Sequence, residues 1–358
     1  MSAVMQLTRV VTEPGAGSAD AELLGRIDQR IAATGLDLSG LTVITEAATG
    51  AYRSTAPIAA RAGARRVVAL ARNTTRHGTA ADAARATMGL AALAGVASRI
   101  EVVGAIEPEM LSACDILTNS GHLRPITAAT IGLLPPGAVI ALMFEAWEFR
   151  ASDLDLEACA AAGVRVAAVN ERHPATGVFD FLGPLAVRLL EDSGTVVADA
   201  RIALISDNPF APFIAAGLRA AGGEVETFTE VGQLYRDAWR AVVLALTPGA
   251  LPRLTAEGIH HLARNAPLAL LAQFWGDIDR EAARHYGLSL WPPTAPGPGH
   301  MGILLNALGD EPIVRLQTGG LRAAEFIHRG GIAAPGAIAE LVTAAPSKPG
   351  PNTNQGTI

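Results

Sequence analysis

Leu41-Thr-Val-Ile-Thr45, running into Glu46, and Arg201-Ile-Ala-Leu-Ile205, running into Ser206 and Asp207, decide the fold. Each is a short β-branched, apolar run that ends on polar residues, as a strand buried on both faces does. Each leads through a helix and a glycine, Gly63 or Gly222, into a second strand, Arg66-Val-Val-Ala-Leu70 or Glu224-Val-Glu-Thr-Phe228. The later parts also correspond. Asp115-Ile-Leu-Thr-Asn119, Ala138-Val-Ile-Ala-Leu142 and Val164-Arg-Val-Ala-Ala168 match Ala241-Val-Val-Leu-Ala245, Leu268-Ala-Leu-Leu271 and Leu288-Ser-Leu-Trp291.

Strands alternating with helices predict an α/β fold of two Rossmann-like parallel-sheet domains, related by internal duplication, with the site in the interdomain cleft. The expected organisation is a helical extension over 1–40, a first domain over 41–190, a second over 191–330, a helix over 331–345 and a disordered tail over 346–358. The extension carries Leu23, Leu24, Ile27 and Ile31 on one helical face, with Ser18 as the expected cap and Gly35 as the stop.

The chain has 358 residues, half of them hydrophobic, enough for two cores. A net charge of −6 with dispersed arginines argues against a nucleic-acid partner, which needs a concentrated basic patch. The apolar stretch from Ile126 to Phe144 is broken by Pro135-Pro136-Gly137, so no membrane span is expected, and a cytoplasmic location is the default. Cys114 and Cys159 have no disulfide or zinc spacing and read as core residues.

Ligands of parallel sheets bind beyond the carboxyl ends of the strands. The polar residues there are Glu46, Arg72, Asn73, Asn119, His122, Arg124, Glu145, Asn170, Glu171 and His173 in the first copy. Asp207, Asn208, Glu230, Thr247, Gln273, Asp277 and His300 are their counterparts in the second. Asn170-Glu171-Arg172-His173 could couple a carboxylate to an imidazole for proton transfer, or be a surface loop. Gly299-His300-Met301-Gly302 has glycines that permit close approach to a ligand. Gly121-His122-Leu123-Arg124 could hold an anionic substrate, together with Asn119 and Asn170. Asp207 caps the following helix or lies in the site. Trp147 and Trp275 take equivalent positions and are core residues or the walls of a flat-ligand site.

The segment from Asp115 to Pro174, with its Leu134-Pro-Pro-Gly-Ala138 turn and its strand closing on Glu171-Arg-His-Pro174, resembles nicotinamide-binding Rossmann domains of two-domain dehydrogenases. Over residues 41 to 343 the layout is similar to the superfamily of D-2-hydroxyacid dehydrogenases and S-adenosylhomocysteine hydrolases. The resemblance implies an NAD(P) cofactor. The chain departs from that pattern: neither first loop contains G-x-G-x-x-G, and Gln273-Phe-Trp-Gly276 stands where the hydroxyacid enzymes carry a substrate-binding arginine. Hydroxyacid oxidation is therefore not carried over.

For the cofactor, Gly50 and Ser54 supply the expected phosphate donors, and Ala71-Arg72-Asn73-Thr-Thr-Arg76 looks like the basic turn of some NADP-binding domains. The catalytic candidates are Glu171, His173, His300 and Glu145. The expected function is an NAD(P)-dependent oxidoreductase acting on a small polar or anionic metabolite. A cofactor-free hydrolase, lyase or transferase using the same Glu and His residues is the alternative, and a non-catalytic binding protein a third. No metal set is recognisable, and a homo-oligomer is left open.

Overall fold

The computed structural model describes residues 16–75 and 77–343. The chain divides into two bodies. One runs through Ala146, resumes over Arg150–Asn170 and takes in the chain from Val314; the other holds Trp147–Phe149 and Glu171–Ile313.

The first body contains β1 (Thr42–Glu46), β2 (Arg66–Leu70), β3 (Ile100–Val103), β4 (Ile116–Thr118), β5 (Val139–Ala141) and β6 (Arg165–Val169). The second contains β7 (Arg201–Ile205), β8 (Glu224–Phe228), β9 (Ala241–Ala245), β10 (Leu270–Trp275) and β11 (Ser289–Trp291). A last strand, β12 (Ala339–Leu341), returns to the first sheet antiparallel to β6. The first sheet has the order β12-β6-β5-β4-β1-β2-β3 and the second β11-β10-β9-β7-β8. All pairs within β1 to β6 and within β7 to β11 are parallel. The first sheet thus has the doubly wound order 3-2-1-4-5-6, and the second has the order 2-1-3-4-5.

The central strands, such as Ala241–Ala245 and Val139–Ala141, are apolar and fully buried because both of their faces are covered, whereas the edge strand Glu224–Phe228 is largely exposed. In the second body Ile202 and Leu204 of β7 face the helices Leu182–Asp192 and Ala211–Ala220, against Leu185, Leu189, Ile214 and Leu218. Ala203 and Ile205 point the other way, into Trp239, Leu254, Ile259 and Leu262. Among the described residues no helix is long and apolar enough to cross a membrane.

Three expectations are corrected. The first body's main run ends at Asn170, not near 190, because helix Leu182–Asp192 buries Leu182, Leu185, Ala186, Leu189 and Leu190 in the second core. No helix forms over the described part of 331–345: Gly336 turns the chain at φ 80°, and Ala339–Leu341 pairs with the edge of β6. Ser18 does not cap its helix, which starts at Ala16, although Gly35 does follow its end at φ 64°. The 346–358 tail lies outside the described residues.

Helices Leu182–Asp192 and Ala211–Ala220 touch backbone to backbone. A Cβ on Gly217 would lie 2.2 Å from Gly183 Cα, and one on Gly183 would lie 2.6 Å from Gly217 Cα. Alanine in a helix is otherwise favoured over glycine by about 1 kcal/mol, so the clash decides the sign. Gly217→Ala is expected to destabilise the second body by about 2 kcal/mol or more. Gly232→Ala, where a Cβ meets nothing within 4 Å, stays within about 0.5 kcal/mol. Urea denaturation followed by tryptophan fluorescence reads this body, since Trp147, Trp239, Trp275 and Trp291, all four tryptophans, belong to it.

Candidate functional site

In the first body β1 pairs with β2 on one side and β4 on the other, so the loops after β1 and β4 leave in opposite directions. The crevice of an open α/β sheet lies at such a switch point. Its floor is a chain of buried hydroxyls. Thr118 Oγ1 donates to Thr45 Oγ1 (2.9 Å) and shares a short hydrogen bond with Ser120. Glu46, half-buried at the end of β1, accepts from the His122 N–H (3.1 Å) and so links the two loops.

Asn119 follows β4 and is fully buried. Its backbone carbonyl accepts from Arg124 Nε (2.9 Å) and Nη2 (2.6 Å), and its Oδ1 accepts from Nε (3.2 Å). Arg124 Nε also lies 3.5 Å from Asp153, which binds Arg150 at 2.8 Å. Both guanidinium groups lie over the Phe144 ring, at 5.5 and 5.7 Å. Burial pulls the Arg124 pKa down, with Asp153 opposing.

The loop after β1 has already used two of its donors. Ala47 N–H bonds Leu70 O (2.9 Å) and Ala48 N–H bonds the buried Thr87 hydroxyl (3.1 Å). Gly50, at φ 61°, then opens the short helical turn Gly50–Ser54, whose first N–H groups have no partner within the turn. Ser54 is buried and donates to Ala51 O (2.7 Å), so it packs the turn. Arg72 is exposed two residues beyond β2. Asn73 Oδ1 accepts the Ala80 N–H (2.8 Å), the first of the helix Ala80–Leu93 that Thr79 caps. Arg76 lies outside the described residues. Asn170 joins the end of β6 to the C-terminal segment, bonding Ala337 O (3.1 Å) and Ile338 O (3.0 Å). Glu145 is buried at 3 % exposure.

The second body's switch point, between β7 and β9, is closed by its own side chains. Asp207 Oδ1 accepts from Thr247 N–H (2.7 Å) and Oγ1 (3.0 Å), and its Oδ2 accepts from Arg253 (2.8 Å). Asn208, not Asp207, accepts the Phe210 N–H (3.0 Å) at the following helix, because the Asp207 carboxylate is turned toward the β9 loop. The Gly299–Gly302 loop docks onto the end of β10: Gly299 N–H reaches Asp277, Trp275 Nε1 reaches Gly299 O (3.0 Å), and Gly302 N–H reaches Phe274 O (2.9 Å). A Cβ on Gly302 would stand 1.8 Å from Gln273 O, so packing alone requires that glycine. His300 is exposed, with Nδ1 3.0 Å from Pro298 O. Glu171 is buried, and His173 Nδ1 accepts the Ala175 N–H (3.2 Å), which puts the proton of a neutral ring on Nε2. Trp147 and Trp275 pack edge to face at 5.7 Å, with Phe210 5.3 Å from each.

The hydroxyls of Thr45, Thr118 and Ser120 were not among the sequence candidates. Hydroxyl residues at the ends of two apolar strands were the available signal.

No family model and no curated protein matches the sequence. Among solved structures, a dipicolinate synthase from Bacillus subtilis is similar at 12% identity over 82% of this chain and 99% of its own, with a TM-score of 0.53. The two share a fold of two parallel α/β sheets of Rossmann type. The dipicolinate synthase of Bacillus halodurans (11% identity, 82% and 98% covered, TM-score 0.49) and D-lactate dehydrogenase from Escherichia coli (11%, 82% and 98%, 0.45) also match. At these identities the likeness is one of fold.

Both thiols are buried, and burial pushes their pKa up, that of Cys159 to about 11. A thiol reacts as its thiolate. Native protein at pH 8 is therefore expected to give almost no titre with Ellman's reagent, and two thiols after denaturation. A fast native reaction would show that one of these sites opens.

Proposed function

We propose that the protein is an NAD(P)-dependent oxidoreductase acting on a small polar or anionic metabolite, with the nucleotide held by the first body. The observation that carries this reading is the 3-2-1-4-5-6 strand order with a polar crevice between β1 and β4 and an exposed arginine just past β2. The crevice fits the group on three counts. Asn119 keeps a buried amide nitrogen without a partner among the described residues. The turn at Gly50 presents N–H groups to an anion. Arg72 stands where a ribose phosphate needs a planar, charge-assisted partner. A bound nicotinamide would supply hydride transfer.

Glu171, His173, His300 and Glu145 remain the groups proposed for proton transfer. With Nδ1 accepting from Ala175, the neutral His173 ring presents an N–H donor at Nε2. His122 and Arg124 are assigned to substrate recognition, Arg124 through the groups it holds. The matching order of β1, β2, β4, β5 and β6 with β7, β8, β9, β10 and β11 supports reading the two bodies as copies.

The loop after β1 also favours a second reading. A carboxylate at the strand end and two N–H groups already bonded make a poorer pyrophosphate cradle than glycines would, which supports a cofactor-free enzyme with a smaller ligand. Thermal-shift titration with NADPH, NADH, S-adenosylmethionine and adenosine separates the two, because a ligand of the folded state raises its apparent stability. A selective nicotinamide shift is expected; no shift with any of them supports the second reading.

Arg72→Ala is expected to weaken NADPH about tenfold and NADH little, since a charge-assisted hydrogen bond contributes about 1.5–3 kcal/mol. Titration calorimetry with both nucleotides checks this, and equal losses, or none, reject the assignment of Arg72 to the ribose phosphate.

A further inference from the structure

Arg124 and Asn119 form an arrangement in which one residue fixes the chemistry of the other. A guanidinium offers only donors, so the amide must turn its oxygen toward Arg124. The hydrogen bond from Nε to Oδ1 (3.2 Å) holds that orientation, and those from Nε and Nη2 to the Asn119 backbone carbonyl (2.9 and 2.6 Å) keep the guanidinium in place beside it. Nδ2 is thereby presented on the opposite side. It is buried, and it has no hydrogen-bond partner among the described residues. Buried donors are nearly always paired in folded proteins, and those left over concentrate at functional groups. Arg124 is itself held by Asp153 at 3.5 Å and by the Phe144 ring, so the clamp is built from behind.

Asn119 is the first residue after β4. In the 3-2-1-4-5-6 order, β1 to β3 form one mononucleotide half and β4 to β6 the other. With Arg72 past β2 assigned to the adenosine ribose, the residue after β4 belongs to the opposite half.

We propose that Asn119 Nδ2 donates to an oxygen of the nicotinamide half of the bound nucleotide, and that Arg124 is a positioning residue acting through Asn119. The inference rests on the nucleotide reading of the crevice. It gives Arg124 a role other than direct capture of a substrate anion.

The test is titration calorimetry of NADPH and of adenosine 2′,5′-bisphosphate, which keeps the adenosine half and lacks the whole nicotinamide mononucleotide half. The proteins are the unmodified chain, Asn119→Asp, Asn119→Ala, Arg124→Lys and the double variant Asn119→Ala with Arg124→Lys. Asn119→Asp leaves the Arg124 contact in place and replaces the donor with an acceptor. It is expected to weaken NADPH about tenfold or more while the fragment stays within about twofold. Asn119→Ala gives the same split should the added carboxylate prevent folding. Arg124→Lys loses the forked contact and reproduces part of the NADPH loss, and the double variant is no weaker than Asn119→Ala alone, as for two residues acting as one unit. Retained fragment binding shows that each variant is folded.

Equal losses for both ligands, or an unchanged NADPH affinity, overturn the Asn119 assignment while the nucleotide reading stands. Losses that add in the double variant overturn the positioning role of Arg124. If the unmodified chain binds neither ligand, the nucleotide reading fails and this inference falls with it.

Discussion

The hydrogen bonding of β1 to β2 on one side and to β4 on the other is the constraint on which the first body's site depends. In a parallel sheet every carboxyl end lies on one edge, and each chain must leave that edge over one face or the other. Where the strand order reverses, the two loops part and backbone ceases to fill the space between them. Thr45, Glu46, Thr118, Asn119 and Ser120 lie at that edge because they end or follow the two strands concerned. A shift of one residue in the pairing of β1 with β4 would exchange each inward side chain for its neighbour.

The same constraint acts on β7, between β8 and β9, with a different outcome. There the carboxylate after the first strand, Asp207, receives two hydrogen bonds from Thr247 and one from Arg253. Its charge is balanced inside the loop cluster, and its acceptor capacity is largely taken. Glu46 receives one backbone N–H from the opposite loop and keeps its exposure. Two bodies with one strand logic thus differ in what their crevices still offer. The first retains a donor at Asn119 that is unpaired among the described residues, whereas the second has joined its opposing charges to each other.

Much of this was legible in the sequence, for a physical reason. Strands buried on both faces are apolar runs bounded by polar residues and glycines, and most strands among the described residues carry that mark, Glu224–Phe228 being legible instead from its place after a helix and a glycine. The two that escaped lack it. Ile100-Glu-Val-Val103 is short and has no counterpart in the second body, so comparison between the two halves of the sequence could not expose it, although Thr79 and Asp82 form the capping box that announces the preceding helix. Ala339-Glu-Leu341 is a strand only because the edge of β6 is there to pair with it. The site was legible to the same degree. Which residues end the strands follows from the pattern, but which atoms meet does not. Arg124 reads as an anion ligand until the turn at Gly121–Leu123 brings it back onto Asn119. Gly302 reads as a ligand-facing glycine until Gln273 O occupies the place of its side chain.

The missing glycine fingerprint has a structural counterpart rather than being only a gap in a motif. Glycines after the first strand let backbone N–H groups turn toward a pyrophosphate. Here the equivalent groups, those of Ala47 and Ala48, point instead to Leu70 O and to the Thr87 hydroxyl, and the side chain at the strand end is a carboxylate. The Gly50 turn, further along the chain, begins with N–H groups that have no partner within the turn. On the reading proposed above, a dinucleotide in this body would take its phosphate contacts from that turn and avoid Glu46. More of its orientation would then fall to side chains, to Arg72 at one end and to the Arg124-held amide of Asn119 at the other, because the backbone at the strand end is already bonded.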